Sequence, residues 1–246
     1  MPRHPTRQSL AENLSNLGIE SEDLLFIHSS FKSLGPVDGG ADTVIGALED
    51  VVGARGLILM PSFNLIDKEL RTKVWDVETT PSTVGWLTEY FRKMAGTYRS
   101  DHPSHSVAVR GKGASEFVTG HLLSKGFKSP WDRNGWGRTY GTHSPMFKAY
   151  EENGKLLMLG VDYESSTYVH FVEVVIWNAR LARNSAAEYP KLDRPALGAF
   201  WDRAGNLRRG LLGDADCRLF NIRDYVDALL HEVQGNPHPY LLKRKQ

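Results

Sequence analysis

The side chains best suited to chemistry in this sequence are His170 and Glu173. Residues three apart share a helix face. A carboxylate beside an imidazole raises its basicity and fixes which ring nitrogen holds the proton, so the pair can take a proton from a nucleophile. A His–Glu pair at this spacing is also common on solvated helix surfaces, so its setting must decide. Just upstream, Lys155-Leu156-Leu157-Met158-Leu159-Gly160-Val161 has the length and apolar character of a buried strand. Gly160, two acids and two serines break that pattern. A helical period follows, with Phe171, Val174, Val175, Trp177 and Leu181 in phase. Ser165 or Ser166 is expected to cap this helix. The pair thus lies beyond the carboxyl end of a strand, where α/β proteins bind ligands.

A second stretch, His28-Ser29-Ser30-Phe31-Lys32-Ser33-Leu34-Gly35-Pro36-Val37-Asp38-Gly39-Gly40, combines hydroxyls, glycine-freed N–H groups and one lysine ahead of a helix. Such a loop suits an anion. It is neither a Walker loop nor a dinucleotide fingerprint, since the glycine and lysine spacings differ. A polar loop between strand and helix needs no ligand, and from chemistry alone the signal is weak.

The elements around these stretches follow from periodicity. Residues 9–17 read as an amphipathic helix with Leu10, Leu14 and Leu17 on one stripe and Gly18 as its stop. Leu24-Leu25-Phe26-Ile27 reads as a strand covered on both faces. A helix from about Ala41, ended by Gly53, and a strand over 56–60 complete a βαβ unit with a parallel pair. Residues 61–81 read as a long loop or small elaboration over the sheet, and long ordered loops are often functional; 83–94 reads as a helix capped by Ser82, 106–110 as a strand, 114–123 as a helix and 129–142 as loop. Ser144-Pro145 opens a helix that Gly154 closes. Turn signals around Ala204-Gly205-Asn206 suggest a hairpin within 199–212, and 221–233 is a final helix with Tyr225, Leu229 and Val233 inward. The expected fold is α/β: a mixed, largely parallel central sheet with helices on both faces, plus a C-terminal hairpin and helix, in one domain over residues 1–246.

Length and composition are those of an ordinary globular chain: 246 residues, net charge +1 and a single cysteine, Cys217. One cysteine excludes an internal disulfide and a Cys-based zinc site. The charge balance gives no reason to expect a nucleic-acid or membrane partner, and the basic run Lys243-Arg244-Lys245 is short enough to be a solvated terminus. Met1-Pro2-Arg3-His4-Pro5 lacks a signal-peptide core, and no apolar run reaches membrane-spanning length. A soluble cytoplasmic protein is the expectation.

The motifs taken in order resemble the aminoglycoside 3-N-acetyltransferase family. The similarity runs from Leu25-Phe26-Ile27-His28-Ser29-Ser30-Phe31-Lys32-Ser33-Leu34-Gly35 through Gly56-Leu57-Ile58-Leu59-Met60-Pro61 and His102-Pro103 with Ser106-Val107-Ala108. It continues through Gly141-Thr142-His143-Ser144-Pro145 and the strand at 155–161 to the His170-x-x-Glu173 helix, covering roughly residues 20–180. The resemblance implies an acetyl-CoA-dependent N-acetyltransferase acting on an amino group of an aminoglycoside, at the 3-N position, or of a related amino sugar. It implies His170 as general base, Glu173 as its partner and Thr167 near the acyl group. Ser29, Ser30, Lys32, Ser33, Leu34 and Gly35 fall on the coenzyme A segment, with Ser106 and Ser144 near the donor. No metal is implied.

Other side chains carry weaker readings. Thr167 shares a face with His170, so its hydroxyl suits an oxyanion; a threonine in the first helical turn is equally often a cap. Asp67, with Glu69, Asp76 and Glu78, reads as solvated charge or as an attractor for a cationic acceptor. His102 is carried as an acceptor contact beside its structural reading, and His28, His105 and His143 read as structural. The loop after Pro61 and the stretch 124–140, with Trp131, Arg133, Trp136 and Arg138, depart from the family pattern and are expected to shape the acceptor pocket. Two rivals remain: a metal-dependent hydrolase using His102, His105 and His170, disfavoured by the absence of a His-Glu-x-x-His motif, and a non-catalytic protein of the same fold. The assembly state is left open, with a homodimer among the options.

Overall fold

A computed structural model describes residues 4–242. Met1-Pro2-Arg3 and the basic run Lys243-Arg244-Lys245 lie outside the described residues, so the readings of those stretches are not addressed by it.

The chain begins with α1 (Arg7–Leu17), whose Leu10, Leu14 and Leu17 are buried and whose helix stops at Gly18 in the left-handed conformation. Then follow β1 (Leu24–Ser29), a 3₁₀ turn over Phe31–Leu34, α2 (Gly40–Val52) and β2 (Leu57–Pro61). After α3 (Lys68–Val74) come α4 (Trp86–Lys93), β3 (Thr97–Arg99), β4 (Val107–Gly111) and α5 (Ala114–Val118). The two-residue strands β5 (Gly126–Phe127) and β6 (Tyr140–Gly141) bracket the tryptophan-rich loop. The chain closes with α6 (Pro145–Glu151), β7 (Lys155–Leu159), α7 (Thr167–Leu181), α8 (Arg194–Ala204), β8 (Arg208–Leu212), β9 (Ala215–Asn221) and α9 (Ile222–Gly235).

Seven strands form one mixed sheet in the order β3-β4-β2-β1-β7-β9-β8. β1 pairs in parallel with β2 and β7, as the βαβ reading requires, and antiparallel partners flank this centre. All but β4 and β9 run in the same direction. Alternation along the strands divides the core. Phe26, Leu59, Leu156 and Met158 point to the face covered by α5 to α9. Leu25, Ile27, Ile58, Leu157 and Leu159 point to the face covered by α1, α2 and α4. Strands buried on both sides read as continuous apolar runs, and helices cover both faces as expected.

Several local expectations are corrected. The α4 helix is preceded by Gly85, not capped by Ser82, whose N–H instead donates to the Glu89 carboxylate. The 114–123 helix breaks at Gly120, which has a φ of 82°. The loop at 61–81 contains α3, which buries no residue and so shows no apolar stripe. The hairpin is present, but its turn is at Gly213-Asp214, because 194–204 is helical. Asp193 caps that helix by accepting the Ala196 N–H. Neither Ser144 nor Ser166 makes a side-chain cap bond.

Candidate active site

The carboxyl ends of β1, β2 and β7 and the start of β4 lie along one edge of the sheet. A cavity of about 380 Å³ opens there, lined by His28 and Ser29 from β1, Phe63 and Leu65 after β2, His105 before β4, and Ser165, Ser166, Thr167 and His170 at the start of α7. A second cavity of about 660 Å³ adjoins it, and Trp131, Glu164, His170 and Arg194 line both. His170 therefore stands where the two meet.

His170 Nδ1 lies 2.7 Å from Glu173 Oε2. Arg194 Nη2 donates to His170 Nε2 at 2.7 Å, and its Nη1 donates to the Glu164 carbonyl. A guanidinium has no acceptor, so Nε2 is the accepting nitrogen and Nδ1 carries the proton given to Glu173. Glu173 is 3% exposed. It also accepts the Tyr189 hydroxyl at 2.8 Å and the Leu192 N–H at 2.7 Å, so its charge is fully used. Burial and this carboxylate push the Tyr189 phenol far above its ordinary value. The Trp131 ring packs edge-on against the imidazole, centroids 4.9 Å apart.

His28 explains how α7 starts without a serine cap. It follows Phe26 by two positions, so it faces the same side of the sheet, beneath the first turn of α7. Its Nε2 accepts the Thr167 N–H at 3.3 Å and lies 3.1 Å from Thr167 Oγ1. Since the backbone can only donate, Nε2 is unprotonated and the Thr167 hydroxyl gives it a proton as well. Burial drives His28 down to about 3, so it is neutral. The structural reading of His28 fits this niche.

The coenzyme A segment forms the rim beside the first cavity. Ser29 lines the cavity, and its hydroxyl is buried with no hydrogen-bond partner among the described residues. Ser30 donates its N–H to Leu159, and Ser33 Oγ donates to the Ser30 carbonyl. The turn lies so close to the end of β7 that a Cβ on Gly160 would fall 1.7 Å from Ser33 Oγ, which only glycine avoids. Lys32 is exposed and Leu34 buried, and Gly35 takes a φ of 70°. Ser106 and Ser144 are fully buried and donate to the carbonyls of Ser62 and Thr139. Neither lines the two cavities.

Asp67 is exposed and caps α3 through the Glu69 N–H. His102 is fully buried and also absent from the cavity walls. Its Nδ1 accepts the His105 N–H and its Nε2 faces the Gly137 carbonyl, so both nitrogens are spent. That geometry gives no support to a hydrolase metal site built on His102, His105 and His170. Both divergent loops reach the site, one through Phe63, Leu65 and Lys68 and the other through Trp131.

The sequence model of the aminoglycoside 3-N-acetyltransferase family matches residues 26–233. The chain belongs to this family. It is accordingly a CoA-dependent N-acetyltransferase. The SPbeta prophage-derived aminoglycoside N(3')-acetyltransferase-like protein YokD of Bacillus subtilis (strain 168) is 32% identical over 90% of both chains. Aminoglycoside N(3)-acetyltransferase III of Salmonella sp is 29% identical over 90% of this chain and 88% of its own. The crystal structure of YokD superposes with a TM-score of 0.76 at 26% identity, covering 97% of this chain and 96% of that one. A structure described as AAC-IIIb binary with CoASH shares the fold, with a TM-score of 0.75 at 24% identity over 95% and 97% of the two chains.

Within this acetyltransferase the residues missed by sequence reasoning are Arg194, Tyr189 and Leu192, which complete the environment of the His170–Glu173 pair. Asp193-Arg194-Pro195 is a helix-start pattern, a cap followed by proline in the first turn, and it marks where α8 begins. Nothing local says that its arginine reaches back to an imidazole 24 positions earlier.

Proposed function

We propose that the chain is a single acetyl-CoA-dependent N-acetyltransferase domain acting by direct transfer on an amino group of an aminoglycoside, at the 3-N position, or of a related amino sugar. The observation that carries this reading is the His170 imidazole at the junction of two cavities, with its Nδ1 held by a buried carboxylate. An aliphatic amine is largely protonated at neutral pH, with a reference pKa of about 10.4. It must lose that proton to attack a thioester. His170 Nε2 takes the proton, and Glu173 stabilises the imidazolium through Nδ1. That first proton passes on to solvent, and as the amine nitrogen bonds to the thioester carbon, whose C=O opens to an oxyanion, the neutral imidazole takes the nitrogen's second proton. As the tetrahedral intermediate collapses, the C–S bond breaks and the thiolate leaves with a proton returned from His170.

The Thr167 hydroxyl is our candidate for contacting the developing oxyanion. To donate there it must turn from His28. Ser29 and the turn through Lys32, Ser33, Leu34 and Gly35 are our candidates for holding coenzyme A, supported by the unpartnered Ser29 hydroxyl and by the CoASH complex of the related fold. Ser106 and Ser144 would support this donor site from beneath, through the carbonyls they hold. The aminoglycoside acceptor is supported by the names of the relatives. Asp67 and His102 remain proposed acceptor contacts only if the loops carrying them move. A thiol-release assay with acetyl-CoA over aminoglycosides, amino-sugar nucleotides and small amines tests the reading. Release with no amine of the panel above the hydrolysis background would overturn it.

A further inference from the structure

Besides His170, the imidazoles of His28 and His105 line the first cavity. The Nε2 of His28 is spent on Thr167. His105 is placed differently. It lies two positions before Val107 and so faces the α7 side of the sheet with it. It is 6% exposed. Its Nδ1 lies 2.7 Å from Ser104 Oγ. Its Nε2 has no hydrogen-bond partner among the described residues, yet it is not sealed in the interior, so it meets the cavity.

The neighbours decide which ring nitrogen carries the proton. His102 Nδ1 accepts the N–H groups of His105 at 3.0 Å and Ser104 at 3.3 Å, so its one lone pair is taken. The Ser104 hydroxyl stands 3.5 Å from that nitrogen, at the limit of a hydrogen bond. This fully buried hydroxyl therefore donates to His105 Nδ1. An imidazole that accepts at Nδ1 carries its proton on Nε2. Burial, and then the neighbouring His102, hold the ring well below its ordinary value, so it stays neutral. A neutral N–H donor thus faces the cavity.

The donor is also fixed in place. The backbone on either side of His105 is pinned to the chain after β2: Asn64 donates its N–H to the Ser104 carbonyl and Ser62 donates to that of Ser106. The ring sits between Phe63 and Trp131, with centroids 4.9 and 5.2 Å away. A donor held before the reaction begins costs no reorganisation when charge develops. The Thr167 hydroxyl, by contrast, must first leave His28.

We propose that His105 is a second catalytic imidazole, whose Nε2–H donates to the thioester oxygen of acetyl-CoA and holds the charge that develops there. As the amine nitrogen bonds to the carbonyl carbon, the C=O electron pair moves onto oxygen, and the hydrogen bond strengthens with no proton transferred. When the C=O re-forms the C–S bond breaks, and the proton for the departing thiolate comes from His170. A neutral imidazole can polarise a carbonyl in this way. It also spares a polycationic acceptor the repulsion that a charged donor would exert. The inference rests on the acetyl group occupying the first cavity.

The test is isotope-edited infrared spectroscopy of acetyl-CoA labelled at the thioester carbonyl and bound to the whole protein without an acceptor. The wild type should move the carbonyl stretch below its frequency in free acetyl-CoA. His105→Leu should lose most of that shift. His105→Gln, which keeps an N–H at similar reach, should keep part of it, and His170→Ala should keep it all. No shift in the wild type, a shift that survives in His105→Leu, or equal loss in both His105 variants overturns the proposal. Nitrogen NMR of the wild-type ring needs no variant: a proton found on Nδ1 overturns it as well. On an acceptor confirmed with the wild type, His105→Leu should lower kcat roughly 10²–10³-fold, the worth of one oxyanion donor, with KM for acetyl-CoA little changed. An unaltered kcat overturns it. A wild type that binds no acetyl-CoA removes the donor placement and this proposal together, whereas an His105-dependent shift with no amine acetylated upholds the proposal and sinks the acceptor reading alone.

Discussion

The Glu173 carboxylate receives the His170 Nδ1–H at 2.7 Å from a position almost sealed from water, while the other ring nitrogen faces the cavities. One end of the imidazole is therefore fixed and the other is available for exchange of partners. His170→Ala should lower turnover by roughly 10²–10⁴-fold, the usual worth of positioned proton transfer, with coenzyme A affinity nearly unchanged. Wild-type turnover in His170→Ala on a confirmed acceptor would remove the base assignment.

Glu173 does more than support the ring. Replacing it with alanine strands the Leu192 N–H and the Tyr189 hydroxyl as well as the imidazole. Each buried unpaired group costs about 1–3 kcal/mol, so Glu173→Ala should lose stability as well as rate. Glu173→Gln keeps one accepting oxygen and should lose rate more than stability, though less rate than His170→Ala. Denaturant unfolding beside steady-state kinetics separates the two effects. A Glu173→Ala protein as stable as the wild type would contradict the saturation of this carboxylate.

The coenzyme A rim gives a prediction that depends on salt. Lys32 is exposed, so its attraction to phosphate is Coulombic and screened over about 8–10 Å at ordinary ionic strength. Lys32→Ala should weaken coenzyme A binding at low salt, with the loss shrinking as salt rises. Ser29→Ala removes the hydroxyl that lacks a partner among the described residues, and its loss should be independent of salt. If titration finds coenzyme A affinity unchanged in both variants, the donor lies elsewhere.

What could be read from the sequence was what repeats locally. β1 and β7 are apolar on both faces, α1 and α9 carry clean stripes, and His170 and Glu173 are three apart on one helix, so these elements and the pair were all legible. α3 was not, because it buries nothing, and β3 has only three residues. α8 buries Leu197, Gly198 and Trp201, a set whose glycine packs against the Tyr163 ring and weakens the apolar period. Partners distant in the chain were also invisible. Thr167 meets His28 across 139 positions, so the local sequence offers a serine cap where a histidine from β1 accepts the N–H instead.

Buried histidines set the acid stability. His28 is driven to about 3 and His102 to about 4 by burial, and His105 and His121 are also lowered well below the ordinary value. Above the unfolded value of about 6.5, neither state binds these protons and stability is full. Below it the unfolded chain takes up protons that the fold excludes, so stability falls as pH falls. At pH 5.5, a unit below that value, the loss is on the order of 1 kcal/mol for each of His28 and His102, and His105 and His121 add to it in the same direction. Ordinary carboxylates contribute little in that range, since they titrate lower. Thermal unfolding from pH 7.5 to 5.5 should show a clear fall in Tm. A flat profile would mean that the unfolded chain gains no protons there.

Cys217 sits on β9 opposite Leu159, with its side chain in the core on the α1–α2 face of the sheet, away from the α7 side that carries His170. Burial raises its thiol to about 11, so the nucleophilic thiolate is scarce at neutral pH. Among the described residues no imidazole is hydrogen-bonded to it or shifts its titration; its Sγ–H donates to the Ala215 carbonyl. A ping-pong route through an acyl-cysteine therefore lacks both an exposed nucleophile and an activating base. Cys217→Ser should keep turnover, with at most a modest loss of stability from placing a hydroxyl in an apolar niche. Incubating the protein with acetyl-CoA alone and weighing it intact by mass spectrometry should show no added acetyl group. An adduct on the wild type that is absent from Cys217→Ser would overturn direct transfer and move the chemistry to the other face of the sheet.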